Sequence, residues 1–143
     1  MKKTLIAIVS CMFLFCGCSF DKYEIGTDII VTYPTVESRQ WVKEDTGVGY
    51  QYVCTLRNKY ITNDVMDNGA VIAYFIDETG SDHPLPYSFT VLDADTHTLV
   101  PQNITFEANT GTITFVVEWE NGVAYDISEN YDFKVCVMKP GDR

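Results

Sequence analysis

The chain has 143 residues, with 10 basic and 20 acidic side chains and a formal net charge of −10. Such a surface repels phosphate backbones and anionic headgroups, which excludes nucleic-acid binding and membrane attachment through a basic patch. The length suits one domain with a single core that needs no covalent staples.

Lys2 and Lys3 precede an apolar run from Leu5 to Phe15, 11 residues long. A span across a bilayer needs roughly 20 apolar residues, so this run suits a secretory signal instead. Gly17 then stands directly before Cys18, and a small residue at that point fits the narrow pocket of a lipoprotein signal peptidase. The arrangement resembles the bacterial lipoprotein signal. The resemblance implies removal of residues 1–17, acylation of Cys18 and attachment to the membrane through that lipid. Two or more acyl chains give stable anchoring where one is marginal. Removal leaves 126 residues with 8 basic against 20 acidic side chains, and the acidic surface keeps an exported protein soluble. Residues 18–27 read as the lipidated cysteine and a polar tether. Asp21 and Glu24 in that tether resemble the surface-export signal of Bacteroidetes lipoproteins, though spaced apart, so either face of the outer membrane stays open.

Residues 28–143 read as strands and turns. Asp28 to Tyr33 is β-branched and stops at Pro34, which cannot donate to a ladder. Arg39 to Lys43 is a short second candidate. Gly49 to Arg57 alternates, with Tyr50, Tyr52, Cys54 and Leu56 on one face. Ile61 to Asn68 departs from this rhythm: Thr62 can cap one helical turn and Gly69 end it. Ala70 to Ile76 is a continuous apolar run, expected to be central and covered on both faces. Tyr87 to Leu92 and Asn103 to Ala108 follow prolines. Thr112 to Glu120 sets Ile113, Phe115, Val117 and Trp119 together, and Tyr131 to Met138 sets Phe133, Val135 and Val137 together. Asn109-Thr110-Gly111 suits a three-residue hairpin loop, and Asn121-Gly122 is the strongest hairpin dipeptide. The expected fold is all-β: an antiparallel, immunoglobulin-like sandwich of about eight short strands with one short helical crossover.

The stretch from Ile61 to Tyr74 resembles the I-T-x-x-V-x-x-x-G-x-V-x-x-Y pattern of small Bacteroidetes secreted proteins. There a tryptophan strand precedes it, as Trp41 does here, and a Leu-Pro element follows, as Leu85-Pro86 does. That family is of unknown function. The resemblance implies a β-sandwich in the cell envelope and no particular activity.

Chemistry is scarce. Cys11 and Cys16 leave with the signal, so Cys54 and Cys136 remain as an even pair in an oxidising compartment. They either form a bridge, worth up to ~4 kcal/mol for a loop of about 80 residues, or stay as two separate buried thiols. His83 and His97 lack the spacing of zinc ligands and read as loop residues. No G-x-S-x-G elbow occurs. Asp77 to Asp82 offers oxygens around a glycine turn, and Asp93-Ala94-Asp95 is similar. Neither matches an EF-hand loop, and solvated acidic turns account for both. Asn103-Ile104-Thr105 is a chance sequon in a bacterial chain.

The compositional excess is aromatic: 9 Tyr, 8 Phe and 2 Trp. Trp41, Tyr50, Tyr52 and Tyr60 could form a platform for sugar rings, or could simply fill core and sheet edges. These features imply a lipid-anchored envelope protein with a non-catalytic binding or structural role, using no cofactor or metal. Its partner would be an envelope protein. The alternative is a glycan-binding accessory lipoprotein of a polysaccharide-uptake system, and a hydrolase would need a deep pocket lined by carboxylates or histidines.

Overall fold

A computed structural model describes residues 28–141. The signal, Cys18 and the tether to residue 27 lie outside the described residues.

The fold is an all-β sandwich of two antiparallel sheets containing ten strands. In the first sheet β1 (Asp28–Thr32) pairs with β10 (Tyr131–Lys139), β10 with β5 (Ala70–Ile76), and β5 with β6 (Asp82–Pro84). The two-residue strand β2 (Thr35–Val36) continues the β1 edge against β10 in unchanged register. Pro34 interrupts the edge because it has no N–H, yet its carbonyl still accepts from the Phe133 N–H at 2.9 Å. The second sheet runs β3 (Val42–Asp45), β4 (Tyr50–Arg57), β9 (Thr112–Trp119), β8 (Thr98–Asn109) and β7 (Tyr87–Asp93).

Strand parity builds the core. Ile113, Phe115, Val117 and Trp119 alternate into the interior from β9, and Phe133, Val135 and Val137 face them from β10. Phe115 and Phe133 stack across the sheets, with ring centroids 3.8 Å apart and planes within 11°. One end of the sandwich is closed by helix α1 (Asn63–Asn68). The Thr62 hydroxyl caps it by accepting the Val65 N–H at 3.3 Å, and the Val65 side chain is buried beneath. Gly69 ends the helix where the chain passes so close to β10 that a Cβ would sit 2.2 Å from the Met138 carbonyl oxygen. Only glycine fits there.

Several expectations need correction. A single 3₁₀ turn at Ser38–Gln40 precedes β3, so that strand begins at Val42 and not at Arg39. β8 starts at Thr98 and passes through Pro101. The Pro101 carbonyl accepts the Glu120 N–H at 3.0 Å, so the missing N–H faces the end of β9, where the ladder stops. The β8–β9 hairpin closes on two residues, Thr110-Gly111, with Gly111 at φ +81°. Asn121-Gly122 turns the chain without making a hairpin; residues 123–130 form no strand, and the next strand is β10 in the other sheet. β5 is internal to its sheet but covered on one face only. Ala73 is buried, whereas Ile72 is 36% exposed and aligns on the outer face with Cys136 and Val31. A neighbouring row sets Ile29 beside Met138 and Ala70, giving the first sheet an apolar outer face. The second sheet's outer face is mixed, with the Thr55 and Thr114 hydroxyls 2.8 Å apart beside a row of Val42, Val53 and Val116.

Candidate functional site

Away from the Phe115–Phe133 contact the core stops short of closing. Phe75 of β5, Tyr87 and Phe89 of β7, and Tyr131 of β10 line the space between the sheets, yet all four remain half-buried. They wall a cleft of about 540 Å³, a size typical of small-ligand pockets. The Phe75 and Phe89 planes lie within 8°, with centroids 6.2 Å apart, and Tyr87 is 21° from Phe75 at 6.0 Å. Tyr131 tilts against Phe75 at 5.5 Å and meets Trp41 edge-on at 5.6 Å. A ligand entering here meets these rings together with two aliphatic side chains, Ile76 and Val91.

Gln102 adds the polar group. It occupies an inward position of β8, is 2% exposed, and lines the cleft. Its amide donates to the Tyr131 hydroxyl at 2.7 Å, which leaves the amide oxygen as an acceptor in the wall. Burial pushes the Tyr131 hydroxyl's pKa up, against a smaller opposite pull from Gln102, so this group stays protonated at neutral pH.

The rim is acidic. Asp77 and Glu78 come from the turn after β5, and Glu129 and Asp132 from the entry to β10. Among the described residues no lysine or arginine lines the cleft. Asp77 is committed to its own turn. Its carboxylate takes His83 Nε2 at 2.7 Å, the Thr79 hydroxyl at 2.6 Å and the Thr79 and Ser81 N–H groups at 2.9 Å. Those bonds, His83 first, hold its carboxyl well below the usual carboxylate range. Asp132 accepts from the Thr35 hydroxyl at 2.5 Å. Glu78 and Glu129 are exposed, with no hydrogen-bond or ion-pair partner among the described residues. His83 stacks on the Tyr87 ring at 4.3 Å and fixes one wall.

The predicted aromatic platform is not assembled. Trp41 is buried against Tyr131, and its indole N–H is a buried donor without a partner. Tyr52 turns toward the core and packs edge-on against Trp119 at 5.9 Å. Tyr50 lies at the start of β4 beneath the Lys43 ammonium, 4.3 Å from its ring centroid. Tyr60 lies beyond the other end of β4, in a shallower depression of about 310 Å³. The alternation that groups Tyr50 with Tyr52 marks the inward face of the strand, and an 8-residue strand separates Tyr50 from Tyr60. Of the four, Trp41 packs against a cleft residue, Tyr131.

Of the two alternatives left open for Cys54 and Cys136, the structure has separate, free thiols. Cys54 faces the core from β4, and burial pushes its thiol pKa up. Phe133, Val135 and Val137 take the inner face of β10, so Cys136 points outward and the first sheet separates the two sulfurs. The loop histidines serve turns. His83 bonds Asp77, and His97 adopts φ 56° where its N–H reaches the Asp93 carbonyl at 2.8 Å. The Asp93 carboxylate accepts from the Tyr125 hydroxyl at 2.6 Å and from the Asp95 and Thr96 N–H groups, which brings its pKa down to about 2. Among the described residues no group of three or more His, Cys, Asp or Glu side chains could hold a metal ion.

The cleft residues were missed in the sequence for a definite reason. Alternation marks Phe75, Phe89 and Tyr131 as inward, but inward residues look alike whether the facing sheet meets them or not. Gln102 was the available signal, as a polar side chain at an inward position. Pro101 masks that signal, because a proline reads as a strand boundary and β8 continues through it. No protein-family model matches this chain, and no curated protein or solved structure matches it either.

Proposed function

We propose that this protein is a non-catalytic binding module of the cell envelope, held at the outer membrane by lipid on Cys18, and that its ligand enters the cleft between Phe75, Phe89 and Tyr131. The cleft carries the proposal. Half-buried aromatic rings around a buried amide form an apolar recess with one convergent polar group, the usual composition of a binding pocket. No helix among the described residues is long and apolar enough to cross a membrane, which is compatible with attachment through the lipid. The glycan-binding alternative also has to use this cleft, because Trp41, Tyr50, Tyr52 and Tyr60 do not share a surface.

Two measurements test the proposal. Wild-type protein should partition into detergent and carry a fatty acid, whereas Cys18→Ser should stay in the aqueous phase; identical partitioning would remove the anchor. NMR titration of the secreted Cys18→Ser protein with a panel of amines, amino acids and oligosaccharides should move resonances of cleft residues. A panel that leaves those resonances still would remove the site.

A further inference from the structure

We infer that the cleft is selective for an organic cation: an ammonium or guanidinium group on a flat or aliphatic body, either a free amine or the side chain of a basic peptide. The inference rests on the cleft being the binding site and adds the ligand's charge and shape.

Three observations converge on it. Asp77, Glu78, Glu129 and Asp132 ring the mouth; Asp77 pairs with His83, and among the described residues no lysine or arginine lines the cleft to neutralise the other three. Glu78 and Glu129 are exposed and make no salt bridge among the described residues, so their charge is available to a ligand. Below the rim, ring faces offer the negative side of their quadrupoles to a cation within about 6 Å. The protein already uses this contact on its own surface, where Lys134 sits 4.6 Å from the Tyr74 ring centroid and Lys43 sits 4.3 Å from that of Tyr50. Among the described residues the cleft aromatics have no such internal partner. Gln102 also lines the cleft, and its amide oxygen, with no hydrogen-bond donor among the described residues, matches the N–H groups of an ammonium or guanidinium. An anionic ligand would face the rim's repulsion, and a neutral one would leave the rim charges unused.

The test is a calorimetric and NMR titration of the Cys18→Ser protein with four probes. These are phenethylammonium, its neutral N-acetyl derivative, a short capped peptide with one arginine, and a neutral oligosaccharide. Phenethylammonium should bind at the cleft at least about tenfold more tightly than the acetylated form, and should weaken as salt rises. A carboxylate about 5 Å away through water is worth roughly fourfold in affinity, so Glu78→Gln and Glu129→Gln should each weaken binding by about that factor. Both are surface changes, and an unchanged melting temperature shows that the fold is intact. Binding of the peptide as well as the amine identifies a basic side chain as an admissible source of the cation; binding of the amine alone identifies a free amine. If the neutral derivative or the oligosaccharide binds the cleft as tightly as the amine, the charge selectivity is wrong while the cleft remains a site. If no probe moves the cleft resonances, both proposals fall.

Discussion

Tyr131 and Phe133 are two residues apart on one strand and have opposite fates. Phe133 is fully buried and stacks on Phe115 from the other sheet, closing the sandwich at its centre. Tyr131 stays half-buried in the cleft wall with its hydroxyl on Gln102. Both lie on the inner face of β10 in regular antiparallel register, Phe133 paired with Phe75 of β5 and Tyr131 with Val36 of β2. The difference lies in what stands opposite. Where large apolar side chains interdigitate, the core is complete. Where Gln102 and the half-buried rings of Phe75 and Phe89 stand, space remains that a ligand can fill.

The sharpest way to break this contrast is to truncate both regions. Phe133→Ala should destabilise the protein by about 3–5 kcal/mol in urea or thermal unfolding, the usual cost of emptying a packed aromatic site. Phe89→Ala, at the cleft, should cost about 1–2 kcal/mol, because its ring is only partly removed from water, and should abolish ligand binding. Equal costs would mean that the cleft is ordinary core.

The closed end offers the next test. Gly69→Ala would drive a methyl group against the Met138 carbonyl, and should cost about 2 kcal/mol or more while leaving cleft affinity unchanged in the folded fraction. A loss of affinity there would couple the two ends.

Acid titration gives a smaller effect near the open end. The Asp93 carboxyl, held down to about 2 chiefly by the Tyr125 hydroxyl, has an unfolded value of about 3.9. The folded state therefore binds that proton less readily, and the contribution is fully present above about pH 4. It is lost as pH falls toward 2, and Asp93→Asn should flatten the decline of melting temperature over that interval. An unchanged slope would remove the Asp93–Tyr125 tie from the account.

The thiols give the smallest effect, a labelling difference with no change in stability. In native protein an alkylating reagent should modify Cys136, on the outer face, and reach Cys54 only after unfolding, with no reductant needed for either. Protection of both until reduction would restore the disulfide.

Much of the fold was legible because period-two alternation reports which side of a strand faces the interior. It located β4, β5, β9 and β10 almost to the residue, and Thr62 and Gly69 bracketed α1. β6 was not legible, since Asp82-His83-Pro84 has no strand chemistry and pairs only because β5 presents an open edge. β2 is similar, two residues held by register with β10. The outward Ile72 was misread for the opposite reason: a continuous apolar run suggests cover on both faces, and here one face is bare. The cleft lay beyond alternation altogether. Parity gives direction and not the distance to the opposing sheet, so Trp41 and Tyr52, which fill space, could not be told from Phe75 and Phe89, which border it.

The central claim is that the unfinished end of this core holds a cationic ligand. Intermolecular nuclear Overhauser contacts between phenethylammonium and the protein test it most directly. The account predicts contacts from the probe's ring to Phe75 and Phe89, with its ammonium near Gln102 and Glu129. Contacts confined to the apolar outer face at Ile29, Val31 and Ile72, with none in the cleft, would contradict it.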